Sequence, residues 1–250
     1  MMRIGKSAVL LALLMISPLV QAEINAEEDF FLRPVFALSG GAVFFSDFDS
    51  SNFPIGLSHY DYNAENDGGT RGVYGGFIGA ELPLTPRFNV QTGIAYYQTT
   101  NAPVTGTLSQ GIDPQSPAKF DYRYKIITRQ LLLETKLLAN WREVYHPYVS
   151  VGLGAAFNEA KDYNVDIIPC CTTFSPEYEN GNTTSFTYNL GVGLDYDIAE
   201  FLRLGVGYRF ADLGKANLGD GIINNTTVTQ SPEQTHLYAQ EILLQLTLII

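Results

Sequence analysis

Apolar and polar residues alternate with a period of two over long stretches of this chain. In Asn189–Asp197, NLGVGLDYD, Leu190, Val192, Leu194 and Tyr196 share one face, and Asn189, Gly191, Gly193, Asp195 and Asp197 share the other. That period is a strand signal. The same pattern predicts eight strands: Pro34–Phe45, Arg71–Leu84, Phe88–Thr99, Phe120–Ala139, Pro147–Phe157, Ser185–Ile198, Phe201–Ala211 and Thr235–Ile250. No segment carries a 3.6-residue apolar period over a helical length.

The connections between these strands alternate in length. TPR, NWREVYH and AE are short. Ser46–Thr70, Thr100–Lys119, Asn158–Thr184 and Asp212–Gln234 are long and rich in Asp, Asn, Ser, Thr, Gly and Pro, which is loop chemistry. Compact domains usually connect elements with about 4–6 residues. Long connections confined to one end fit an outer-membrane barrel, with tight periplasmic turns and long outer loops. The expected fold is therefore all-β: an eight-stranded antiparallel up-and-down transmembrane β-barrel with four long extracellular loops.

Two features decide which face is inside. Gly75, Gly79, Gly93, Gly152, Gly154, Gly191, Gly193, Gly205 and Gly207 lie on the polar face. On a solvated surface they would only weaken the strands. In an eight-stranded barrel the bore is just wide enough for side chains to fill it, so small residues belong there. Aromatics on the apolar face gather at strand ends: Phe44, Tyr74, Tyr96, Phe157, Phe186, Tyr188, Tyr208 and Phe210 toward the loops, Phe36, Phe88, Tyr196 and Trp141 toward the turns. Two such girdles match the two membrane interfaces. Strand four breaks phase near Thr128–Gln130, which predicts a bulge there or a segment projecting beyond the bilayer.

Charges on the inward face need partners, because an isolated charge in a low-dielectric bore is costly. An odd-length hairpin at Ala199-Glu200 brings Asp195 or Asp197 opposite Arg203. Arg209, Glu134, Lys136, Glu81 and Glu241 extend the expected lumen network, whose role is to fill the barrel.

The N-terminus reads as a secretory signal peptide over residues 1–22. Arg3 and Lys6 precede an apolar run from Ala8 to Ile16, and Val20-Gln21-Ala22 supplies the cleavage site. The run is too short to span a bilayer. Residues 23–33 then form a short acidic periplasmic segment, and 34–250 the barrel. The chain carries 15 basic and 26 acidic residues. Losing Arg3 and Lys6 moves its formal charge from −11 to −13, which argues against nucleic-acid partners. Charged residues make up only 16% of the chain, against about 25% in soluble domains, as expected where one surface never meets water. The two cysteines, Cys170 and Cys171, are adjacent. They cannot form a disulfide framework, and a local loop staple or an inert pair is expected.

The stretches YVSVGLGAAF and FTYNLGVGLDYDIAEFLRLGVGYRFADLG (Phe186–Gly214) resemble the opacity-type and outer-membrane-protein-A-like family of small barrel surface antigens. The GYRF…DLG run on the penultimate strand is the most recognisable part. The resemblance covers the mature chain and implies a barrel, with little said about activity. Many such chains end in Phe; this one ends in Ile250, and a peptidoglycan-binding module after strand eight is not expected.

Ser58, His59 and Asp61 in LSHYD are close in sequence, but the members of a catalytic triad meet through the fold. His59 and His236 both belong to the loop end. SDFDSSN and DYNAENDGG offer oxygen ligands, yet their glycine spacing does not fit a calcium loop. The expectation is no catalytic residue, metal or cofactor. The expected protein is a monomeric surface barrel in the outer membrane of a Gram-negative bacterium, in contact with lipid and lipopolysaccharide. Its loops serve adhesion, ligand or host contact, or envelope integrity. A narrow or gated channel and a soluble lipocalin-like carrier are the alternatives; open pores need about 16 strands.

Overall fold

The computed structural model describes residues 32–65, 69–113, 117–166, 176–223 and 226–250. The expected signal peptide, most of the acidic segment, and Cys170 and Cys171 lie outside the described residues. The strands are β1 (Arg33–Phe45), β2 (Ser51–Ile55), β3 (Ser58–Glu65), β4 (Arg71–Thr85), β5 (Phe88–Thr99), β6 (Ala102–Gly111), β7 (Ala118–Ala139) and β8 (Tyr145–Asp166). They continue with β9 (Glu177–Tyr178), β10 (Gly181–Ala199), β11 (Leu202–Asp212), β12 (Ala216–Asn217), β13 (Gly221–Ile223), β14 (Thr226–Val228), β15 (Glu233–Gln234) and β16 (Tyr238–Ile249).

Eight of these form a closed antiparallel ring in the order β1-β4-β5-β7-β8-β10-β11-β16. Pairing of β1 with β16, for example Leu38 with Leu246, closes the barrel and leaves no open edge in the ring. Parity then fixes every side chain. On β5, Asn89, Gln91, Ala95, Tyr97 and Thr99 are buried inside the ring, whereas Ile94 and Tyr96 are exposed outside it. On β10 and β11, Leu190, Val192, Leu194, Leu204 and Val206 form an exposed apolar band. Phe36, Phe88, Trp141 and Tyr196 border that band at the turn end, and Tyr74, Tyr96, Phe157, Phe186 and Tyr208 border it at the loop end.

Gly79 and Gly93 face each other across β4 and β5. A Cβ on Gly93 would collide with the Ile78 carbonyl oxygen, so these two backbones pack closer than a side chain permits.

The long connections are more ordered than their composition suggests. β7 and β8 run for 22 residues each and rise above the ring. There β6 pairs with the upper half of β7, from Ala118 to Ile126, and β3 and β2 continue the sheet. The inner side of this extension has its own aromatic core. Phe53 stacks on Tyr62 at 5.5 Å, and Tyr62 meets Tyr122 edge-on at 5.2 Å. Tyr163 and Tyr178 meet at 5.0 Å and 90°.

The expected bulge at Thr128–Gln130 does not form. β7 pairs continuously with β8 through these residues, while on its other side the β5 ladder ends at Arg129 and β6 takes over from Ile126. The register shift lies higher, between Arg123 and Lys125 of β7, where β8 carries the extra residue beside Asp162 (φ 57°). What changes at Thr128–Gln130 is polarity. Below it the even residues Glu134 and Lys136 are buried polar groups; above it the even residues Tyr122, Tyr124 and Ile126 are buried and apolar.

Candidate functional site

Strand parity and register bring the inward charges into two groups in the lumen. In the group nearer the turns, Glu81 is fully buried. It accepts hydrogen bonds from Arg33, from Arg203 Nη1 at 3.1 Å, from Gln91 Nε2 at 2.7 Å and from Asn89 Nδ2 at 3.2 Å. Arg203 also donates from Nε to Asp197 Oδ1 at 2.7 Å. These two residues sit directly opposite in register because the β10–β11 turn is irregular between Asp197 and Ala199. Asp197 reaches His146 Nε2 at 2.8 Å, and His146 Nδ1 meets Asn140 Oδ1 at 3.0 Å. Lys136 bonds Asp195 Oδ2 at 3.4 Å and Gln245 Oε1 at 2.6 Å, with its ammonium 4.0 Å from the centre of the Tyr148 ring.

The second group is nearer the loops. Arg209 reaches Glu241 Oε2 from Nε at 2.7 Å and from Nη2 at 2.5 Å. Its guanidinium lies 3.5 Å from the centre of the Tyr97 ring, and Tyr97 donates to Glu134 at 3.3 Å. The two groups converge on the middle of the bore. Tyr97, Glu134, Lys136, Tyr148 and Arg209 line a cavity there of about 20 Å³, close to the room one water needs.

Of the charged residues named for the lumen, Glu81, Glu134, Lys136, Asp195, Arg203, Arg209 and Glu241 are buried, and Asp197 is partly exposed beside them. Glu134 differs from the rest: its contact is the Tyr97 hydroxyl rather than a cation. Sequence reasoning missed Arg33, Asn89, Gln91, Tyr97, His146, Tyr148 and Gln245. Each lies at the inward parity of its strand, which was the available signal.

The DLG segment of the penultimate strand caps the barrel rim. Asp212 accepts from Gly214 N at 2.9 Å across a turn in which Gly214 has φ 69°, a conformation that favours glycine. Leu213 is fully buried, and Asn158 Nδ2 donates to the Leu213 and Lys215 carbonyls at 2.8 Å each. The motif ties the fourth long connection to β8.

The other loop candidates do not converge. Ser58, His59 and Asp61 occupy one strand, so Ser58 faces the opposite side from His59 and Asp61. His59 and Asp61 line a cavity of about 190 Å³, while His236 is held by Asp212 Oδ2 at 3.0 Å beside a different cavity. Among the described residues, no three His, Cys, Asp or Glu side chains are arranged to hold a metal ion.

The similarities to known proteins agree with this architecture. The Escherichia coli outer membrane protease OmpT shares the fold at 11% identity and a TM-score of 0.51, over 89% of this chain and 99% of that one. Pseudomonas aeruginosa OprG aligns at 14% identity and TM-score 0.42, over 85% and 95% of the two chains. Neisserial surface protein A aligns at 14% and 0.37, over 86% and 96%. No curated protein matches in sequence. The profile of the outer membrane protein beta-barrel domain matches residues 9–231. With its closed ring, exposed apolar band and polar lumen, the chain belongs to the outer membrane protein beta-barrel domain family and resides in the outer membrane of a Gram-negative bacterium.

Proposed function

We propose that the protein is a non-enzymatic surface barrel whose extracellular extension makes contact with ligands outside the cell. One observation carries this reading: the two ends of the molecule are built for different tasks. Buried ion pairs cross the bore around a cavity of about 20 Å³, whereas the described parts of the outer connections are folded, cored and cross-linked by hydrogen bonds. A channel would invest its order in the lumen wall. A contact surface invests it in the loops, since preorganised loops lose less entropy on binding. Ser58 faces away from His59 and Asp61, so the three do not form a triad.

The test is adhesion of cells displaying the full barrel, compared with cells displaying a barrel whose β2–β3 (residues 51–65) and β6 (Ala102–Gly111) segments are shortened. Expected is loss of attachment to glycan- or matrix-coated surfaces, with unchanged heat-modifiable gel mobility. Equal attachment would refute the reading. Stepwise conductance in planar bilayers that responds to Arg203→Ala would favour a channel instead.

A further inference from the structure

The first and fourth outer connections are fastened together. Asp49 N donates to Gln234 Oε1 at 2.6 Å, and Gln234 Nε2 donates back to the Asp49 carbonyl at 3.3 Å. Thr235 N donates to Asp49 Oδ2 at 2.7 Å, and Glu233 N to Ser51 Oγ at 3.3 Å. Gln234 is buried and also reaches Tyr124 Oη at 3.2 Å, so the joint is anchored to the aromatic core of the extension. Above this joint lies a cleft of about 930 Å³, within the size range of small-molecule sites.

The two walls of the cleft differ. One is formed by His236 stacked on Tyr238 at 5.6 Å with the rings only 6° from parallel; outside the cleft, Tyr238 in turn stacks on Phe210 at 5.7 Å. Asp212 fixes the imidazole, yet the His236 side chain is 55% exposed, so a ring face is open to the cleft. Apart from Phe53 and Lys215, the rest is planar amides, hydroxyls and carboxylates, including Asn52, Asn217, Gln230, Asp49 and Glu233. The lysine of the cleft, Lys215, is already matched by Glu233 at 2.7 Å.

We propose that this cleft is a binding site for an uncharged oligosaccharide. The proposal rests on the contact function above and names its ligand class. A pyranose has one face of C–H bonds that packs on a flat ring, and an edge of neighbouring hydroxyls that exchange hydrogen bonds with amides and carboxylates. The cleft offers both surfaces side by side. A peptide anchor would need an apolar pocket; Phe53 is the one wholly apolar side chain of the lining. A phosphate or sulfate would meet Asp47, Asp49 and Glu233 with one committed lysine. The site stands just above the outer aromatic girdle. There both the outer-core sugars of surrounding lipopolysaccharide and free glycans can reach it.

The test uses the full barrel refolded in lipopolysaccharide-free detergent micelles. Saturation-transfer NMR and calorimetry are run with triacetylchitotriose, maltotriose, lactose, the outer-core oligosaccharide released from lipopolysaccharide, and sucrose octasulfate as an anionic control. At least one uncharged sugar is expected to bind, with transfer strongest at one C–H face. His236→Ala should weaken it by about tenfold, and His236→Phe, which keeps a ring face, should restore most of the affinity. Gel mobility reports that each variant is folded. Binding of the core oligosaccharide alone assigns the site to the protein's own membrane; binding of the free sugars assigns it to external glycans. The proposal is overturned if no uncharged sugar binds, if His236→Ala binds like the parent, or if sucrose octasulfate binds in the cleft. Absence of sugar binding by the parent protein, with adhesion intact, would sink this inference and leave the contact function standing.

Discussion

Arg209 and Arg203 are both lumen cations with nearly buried side chains, yet the structure gives their removal different costs. Arg209 is the cation that reaches Glu241, which is itself fully buried, and Glu241 Oε1 has no partner among the described residues. Arg209→Met therefore strands a carboxylate in the bore and also removes the stack on Tyr97. Breaking one side of a buried pair costs about 3–5 kcal/mol, and a desolvated cation–π contact contributes about 2 kcal/mol; the two overlap, so about 4–5 kcal/mol is expected. Arg203→Met leaves Glu81 with Arg33, Gln91 and Asn89, and leaves Asp197 with His146 on a side chain 25% exposed. Its cost should be nearer that of unmade hydrogen bonds, about 1–3 kcal/mol. The double variant Arg209→Met/Glu241→Leu removes both charges and should recover most of the loss, a coupling of about 2 kcal/mol or more. Reversible urea unfolding in lipid vesicles, followed by far-UV circular dichroism and unboiled-gel mobility, measures all three and the single Glu241→Leu variant. If Arg209→Met costs no more than Arg203→Met, or if the double variant costs the sum of its parts, the pairing argument is wrong.

Val206 faces outward between Leu194 and Leu244; Val206→Arg should cost about 2–4 kcal/mol in vesicles and reduce membrane assembly, whereas a soluble barrel would tolerate it. Gly93→Ala should lower stability by about 1–3 kcal/mol through overpacking, while Gly40→Ala, with no atom closer than 4.0 Å to the new Cβ, should be nearly silent; equal midpoints would contradict the close approach of β4 and β5. Burial holds the Tyr124 phenol up to about 12, and raises Tyr60, Tyr122 and Tyr178 as well. Between pH ~10 and ~12 an opened extension releases phenolic protons that the folded one keeps, so its stability falls as pH rises and is unaffected below ~10. Absorbance at 295 nm and protease resistance follow both; a single titration near pH 10 with no change in proteolysis would refute it.

The eight ring strands were legible because a barrel wall is a local signal repeated: parity assigns each face, and one irregular turn set Asp197 against Arg203. Contacts across the bore were not. Glu81 and Arg203 lie on strands that do not pair with each other, so their meeting depends on how the whole ring staggers. Tyr97 and Phe77 escaped for another reason. Both are bulky aromatics at inward positions, where small and polar residues marked the lumen; they occupy the space left beside Gly75 and Gly79. The extension was hidden by composition. Tyr60 and Tyr62 alternate with His59, Asp61 and Asn63, and Val104 and Leu108 with Pro103, Thr105 and Thr107. An outer face that meets water uses the same Asp, Asn, Ser and Thr as an unstructured loop, so loop composition outweighed a short period of two.

The apparent phase break at Thr128–Gln130 joins these observations. β7 keeps even residues inward from Phe120 to Leu138. At about 3.3 Å per residue its 22 residues extend roughly 70 Å, while a spanning strand needs only about 9–11 residues. The two halves of β7 therefore meet different solvents. In the lower half Leu131, Leu133 and Leu137 are exposed outward while Glu134 and Lys136 are buried inward. In the upper half Asp121, Arg123 and Lys125 face outward and Tyr122, Tyr124 and Ile126 are packed inside. Parity is unchanged across the boundary, although the strand on one side changes from β5 to β6. Reversal of polarity at constant parity thus marks the level where lipid gives way to water, and it places the tyrosine core and the His236 cleft on the watery side.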